Sequence, residues 1–210
     1  YYAQYWQRWR EADETAWDER YLPLLTTLAA AQEALSCQQL LVWSGARRTE
    51  RALRRLLEER WRPFLAVNKD GPTYRYRFYH ATLQEFFNGS IAQETLSSAE
   101  MALVAELTLE TRTCHARLAE RYLQAWDGLA AGLPGLQEAS IRDLDEQYGL
   151  HHLAAHLAAA DRVADLHYLL RLEWISPEIQ AQSGVGLHSI NQWLERTKIE
   201  HTSNCQNVWY

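Results

Sequence analysis

Phe64-Leu65-Ala66-Val67-Asn68-Lys69-Asp70-Gly71-Pro72-Thr73-Tyr74-Arg75-Tyr76-Arg77-Phe78-Tyr79 decides the fold, because here the hydrophobic period changes from 3.6 to 2. Phe64–Val67 and Tyr74–Tyr79 read as strands, and Asn68–Pro72 between them is a strong turn signal. On both sides the pattern is helical. Upstream, Leu22, Leu25, Leu28 and Ala29 make a first helical face. Ser36 can cap a second short helix carrying Leu40, Leu41 and Trp43, and Gly45 ends it. Thr49 can cap a third, with Leu53, Leu56, Leu57 and Trp61 inside and Arg51, Arg54 and Arg55 outside, stopped by Pro63. Downstream a helix opens near His80 with Leu83, Phe86 and Phe87. Three helices, a hairpin and a closing helix predict a winged-helix domain over residues 21–95. The expected class is mainly α, the winged helix being followed by an α-helical arm.

Beyond Asn88-Gly89 only helices are expected, in an arm over 96–210. Ser97 and Glu100 resemble a capping box before Met101, Val104 and Leu107. Leu118, Tyr122 and Trp126 line the next helix, and Gly128, Gly132, Pro134 and Gly135 form a loop. Ser140 can cap a helix carrying Ile141, Leu144, Tyr148, Leu153 and Leu157. Val163, Leu166, Leu169 and Leu170 mark another, and Ser176-Pro177-Glu178 starts one more. Two antiparallel helix pairs result, as in helical-repeat arms. Ahead of the winged helix, residues 1–20 read as a linking helix. Its aromatic stripe Tyr2, Tyr5, Trp6 and Trp9 is expected to pack on a neighbouring domain, and the acids Glu11, Asp13, Glu14, Asp18 and Glu19 form a solvated face.

The 210 residues, 47% hydrophobic and 23% charged, exclude wholesale disorder. No apolar run reaches the roughly 18 residues of a membrane span, and Tyr1–Trp6 has neither the basic start nor the apolar block expected of a signal peptide. The absent initial Met and the apolar end Val208-Trp209-Tyr210 are expected of a piece cut from a longer protein. Cys37, Cys114 and Cys205 are far apart, as expected of structural thiols in a reduced, cytoplasmic chain. Net charge is −6, yet residues 47–77 hold ten Arg or Lys against four acids. This +6 segment leaves −12 elsewhere and suggests a face that meets something anionic.

The chain lacks G-x-x-x-x-G-K-[ST], G-x-G-x-x-G and G-x-S-x-G, so it is not by itself a complete ATPase, dehydrogenase or α/β-hydrolase. His152-Leu-Ala-Ala-His156, beside His151, has Leu153 where a metalloprotease needs Glu, and packing or surface histidines are expected. Asp143, Asp145 and Glu146 are expected on a helix as a solvated face, without the glycine turn of a calcium loop. A winged helix can place its basic third helix in a DNA major groove. Glu50, Glu58 and Glu59 interrupt that helix and the chain is acidic, so nucleic acid is disfavoured. A DNA-binding regulator with a helical dimerisation arm is the alternative reading, and a plain helical scaffold a third.

Tyr76-Arg77-Phe78-Tyr79-His80-Ala81-Thr82-Leu83-Gln84-Glu85-Phe86-Phe87 resembles F-x-H-x-[ST]-[FL]-Q-E-[FY]-[FL] in the winged helix of NACHT-type STAND ATPases, the NOD-like receptor relatives. Thr113–Tyr122 and Tyr148–Leu157 also look like the helical arm of bacterial STAND proteins, many of which continue into WD-type propellers or other repeats. The resemblance implies that His80 reaches a P-loop domain and contacts the ADP β-phosphate in a closed state. From the residues alone His80 reads as a core or capping histidine, although a strand-to-helix junction also suits a phosphate. Thr82, Gln84 and Glu85 are expected to cap and orient the helix.

The resemblance implies a regulatory fragment without enzymatic activity. Its implied partners are an NTPase domain of the same polypeptide and a C-terminal repeat or propeller sensor, with a homo-oligomer on activation. ADP or ATP with magnesium is the cofactor implied for the full-length protein, none for this fragment, and no membrane is implied.

Overall fold

The computed structural model describes residues 2–90, 96–142 and 144–171, with the side chains of 170 and 171 excepted. The chain divides into two compact units, Tyr1–Leu118 and Ala119–Tyr210. The architecture is mainly helical with one small antiparallel sheet. Among the described residues no strand follows Phe78, and no helix is long and apolar enough to cross a membrane. The expected helix start at 176–178, Cys205 and the last three residues lie outside the described residues.

In the first unit local hydrogen bonds open most helices. α1 (Tyr2–Ala12) stops before Asp13, whose carboxylate accepts the Ala16 amide at 2.9 Å and caps α2 (Glu14–Ala16). A π-turn, Trp17–Tyr21, leads into α3 (Leu22–Ala30). α4 (Cys37–Ser44) begins in a closed capping box: Ser36 Oγ accepts the Gln39 amide at 3.2 Å, and Gln39 Oε1 accepts the Ser36 amide at 2.9 Å. Gly45 ends it with φ 67, a left-handed conformation that glycine adopts without steric cost. Thr49 caps α5 (Glu50–Arg55), which continues as a π-turn, Leu56–Arg60, to the Pro63 stop.

Strands β2 (Leu65–Asp70) and β3 (Thr73–Phe78) pair from Leu65↔Phe78 to Asp70↔Thr73. The loop is therefore Gly71-Pro72 alone, shorter than the five residues expected. Gly71 at φ 56 makes a two-residue turn whose twist matches the strands, so pairing runs on through Asn68–Asp70. A two-residue strand, β1 (Leu35–Ser36), adds to the other edge of β3. No periodicity can announce an element that short.

Leu24, Leu25, Leu35, Leu40, Leu53 and Tyr76 are completely or almost completely buried and join α3, α4, α5 and the sheet in one core. α6 (Ala81–Phe87) closes it with Leu83, Phe86 and Phe87. The aromatic stripe of α1 packs into this same unit. Trp6 meets Trp61 edge-on at 5.8 Å and lies 5.2 Å from Phe64. Trp17 donates to Glu106 at 3.2 Å, which ties the opening segment to the next helix.

α7 (Ser98–Ala125) starts in the expected Ser97–Glu100 capping box. It is one helix where two were expected, because no glycine or proline interrupts residues 98–125. Val104 and Leu107 are buried, but Met101, in the first turn, is exposed.

In the second unit, Tyr122, Trp126 and Tyr148 form the core with Leu153 and Leu157. The expected helix from Ser140 to Leu157 is broken. α8 (Ala139–Arg142) is one turn, and Ser140 Oγ donates to Glu138 instead of capping it. Asp145, Glu146 and Gln147 then take φ of 50, 60 and 67 before α9 (Tyr148–Ala159) begins. Hence Asp145 and Glu146 do not stand on a regular right-handed helix as expected, and Asp143 lies outside the described residues. α10 (Val163–Arg171) packs against α9 across a short connection turned by Asp161 at φ 60.

Candidate functional site

His80 stands between β3 and α6, and packing on both sides fixes its backbone. Phe78 and Phe87 stack with centroids 5.3 Å apart, and the Tyr79 amide donates to Phe64 O at 2.8 Å. Gln84 Nε2 donates to Ala29 O at 3.0 Å, satisfying a last-turn carbonyl of α3 and orienting α6 upon it. The expected orienting role therefore falls to Gln84, while Thr82 and Glu85 are exposed.

The His80 side chain itself is exposed. Its backbone is extended (φ −109, ψ 136) and its imidazole does not cap α6. Its ring lies edge-on to Tyr79, centroids 4.4 Å apart, and Tyr79 is 64% exposed. The His80 side chain thus serves neither the core nor the cap of α6. A neutral imidazole here can donate one hydrogen bond outward.

No protein-family model, curated protein or solved structure matches the chain.

The basic segment is partly neutralised from within. Arg54 bonds Glu50 at 3.0 Å, Arg55 bonds Glu59 at 2.9 Å, and Arg75 bonds Asp70 at 3.0 Å. Glu58 accepts from the Tyr76 hydroxyl at 3.1 Å. Burial, then the neighbouring Cys37 and Glu58, push the Tyr76 phenol upward and keep it a donor. Arg48 and Arg60 lie over the rings of Tyr21 and Trp9 at 5.1 and 5.5 Å. The four acids of 47–77 are all engaged, whereas Arg51 and Arg77 stay exposed.

The histidine cluster of α9 is divided. His156 is completely buried, its Nε2 3.1 Å from the Tyr148 hydroxyl, while His151 is exposed. Among the described residues no group of three His, Cys, Asp or Glu could hold a metal. Cys37 and Cys114 are buried free thiols, and burial pushes Cys37 upward, away from reactivity.

One polar cluster escaped sequence reading. Asp145 Oδ2 receives Arg121 Nε at 3.2 Å, Arg121 Nη2 at 3.1 Å and the Tyr122 hydroxyl at 3.0 Å. These residues stand 23 and 24 positions apart in the chain, so no local motif connects them.

Proposed function

We propose that the chain is the winged-helix and helical-arm portion of a NACHT-type STAND signalling ATPase. The observation that carries this reading is the division of labour within Tyr76–Phe87. Phe78, Leu83, Phe86 and Phe87 serve the core, while His80, between them, faces outward without a capping bond. The order α3-β1-α4-α5-β2-β3-α6 supports a winged helix over 21–95. Residues 1–20 then link it to a preceding NTPase domain, and 96–210 form the arm leading to a repeat or propeller sensor.

The fragment catalyses nothing. Its work is to fold back on the NTPase domain of the same polypeptide while ADP is bound there, with His80 donating a hydrogen bond to the diphosphate. Sensor engagement releases this closure, ATP with magnesium replaces ADP, and the protein assembles into a homo-oligomer. The coupling is allosteric because ADP and the sensor ligand bias the same two states in opposite directions.

The test uses the full-length protein and follows ADP dissociation. One charge-assisted hydrogen bond made only in the closed state is worth about 1.5–3 kcal/mol, so His80→Ala should speed ADP loss roughly ten- to a hundredfold. Leu83→Ala, a core truncation in the same helix, should lower the melting temperature. Unchanged ADP retention in His80→Ala refutes the sensing role.

A further inference from the structure

The second unit contains a feature that its own sequence pattern opposes. Ile141, Leu144 and Tyr148 follow one another at helical spacing, yet Asp145, Glu146 and Gln147 make a left-handed turn. Asp145 (φ 50, ψ 40), Glu146 (φ 60, ψ 37) and Gln147 (φ 67, ψ 14) are three consecutive residues with a Cβ in a region that L-residues disfavour. None is glycine. Ile141 and Leu144 remain only half-buried beside this break.

The same turn carries the Asp145 contacts. Three donors from Arg121 and Tyr122 converge on a single oxygen of a carboxylate whose side chain is 16% exposed. Both donor residues stand on α7, and Tyr122 is anchored by stacking on Tyr148 at 6.1 Å. The disfavoured backbone and the convergent charge-assisted bonds thus occupy the same residue. We propose that Asp145 is the latch of a bistable hinge. With Arg121 and Tyr122 bound, the chain is held in the left-handed turn. With the latch open, residues 139–159 relax into one continuous right-handed helix.

Such an element has two discrete arrangements, as a switch requires. Its energetic logic is that of strain held by surrounding contacts. The inference stands independently of the proposed signalling role.

The experiment places spin labels at the exposed positions Ser140 and Ala159, in a Cys205→Ser background whose remaining thiols, Cys37 and Cys114, are buried. A straight helix separates the labelled backbones by about 29 Å, at roughly 1.5 Å per residue. Pulsed electron–electron resonance on the whole chain should find the wild type at a shorter distance. Asp145→Ala should raise the long-to-short ratio roughly ten- to a hundredfold, the worth of a charge-assisted bond. Glu146→Gly touches none of the latch bonds and eases the left-handed backbone. Added to Asp145→Ala, it should return the short distance. The proposal is overturned if Asp145→Ala keeps the wild-type distance, or if it gives only a broad unfolded distribution that Glu146→Gly does not restore.

Discussion

Replacing Gly149 with alanine should destabilise the protein, although it improves a helix. Gly149 stands in the first turn of α9, where alanine is favoured over glycine by no more than the helix-interior value of about 0.8–1 kcal/mol. Packing reverses the sign. A Cβ at 149 would lie 2.4 Å from Tyr122 Cδ1, 2.6 Å from Tyr122 Cγ and 2.9 Å from Trp126 Cζ2. Neither ring has room to give, since both are almost completely buried. Tyr122 is also held at its far end by the 3.0 Å bond from its hydroxyl to Asp145. Burial, then the Asp145 charge, push its phenol upward, so it remains a donor. Overpacking costs about 1–3 kcal/mol, and breaking a bond to a carboxylate about 1.5–3 kcal/mol more. Set against the propensity gain, the net loss is about 1 kcal/mol if the Tyr122 bond survives and about 3 kcal/mol if it breaks. In a chain of this size each kcal/mol lowers Tm by about 2–4 °C. Thermal melts of wild type, Gly149→Ala, Tyr122→Leu and the double variant decide the matter. Gly149→Ala should melt about 2–12 °C lower, and its penalty should shrink in the Tyr122→Leu background. A Gly149→Ala melting temperature equal to or above wild type refutes the close approach.

Three further outcomes are expected. His115 is buried on α7, and burial pushes its imidazole down to about 4, so the unfolded chain takes up its proton first. Its stabilising contribution is full above the unfolded value near 6.5 and is lost as pH falls from there toward 4, by up to about 3 kcal/mol. His115→Gln should flatten the fall in Tm between pH 7 and 4, and an unchanged pH profile would contradict the burial. His80→Ala should leave the stability of the chain within about 0.5 kcal/mol of wild type, because the side chain is exposed and caps nothing. Leu83→Ala should cost about 2–5 kcal/mol, and chemical denaturation compares the two.

The sequence was most legible where a local signal had a local cause. Ser36, Thr49 and Ser97 cap as their spacing predicts, and Leu53, Leu57, Phe86 and Phe87 lie where a 3.6 period places them. Legibility failed where distant residues decide. β1 exists because Leu35 and Ser36 meet Tyr76 and Arg75, a pairing that two residues cannot advertise. The hairpin loop was overestimated because Asn68 and Asp70 are turn formers that here, with Lys69, complete a ladder. Residues 144–147 follow Asp145's bonds to α7 instead of their own periodicity. At the candidate site the position of His80 beyond an alternating strand was readable. The bond from Gln84 to Ala29, 55 residues away, was not.

The packing of α1 has an optical consequence. Trp6, Trp9, Trp17 and Trp61 lie in one cluster, with Trp6 5.8–6.5 Å from the other three. Indoles this close couple their electronic transitions, so the first unit carries its own chromophore array, visible as paired bands in far-ultraviolet circular dichroism. If α1 peeled away, Trp6 and Trp9 would part from Trp17 and Trp61 and the paired bands would collapse. Without any added dye, the protein can therefore report whether its opening helix is docked.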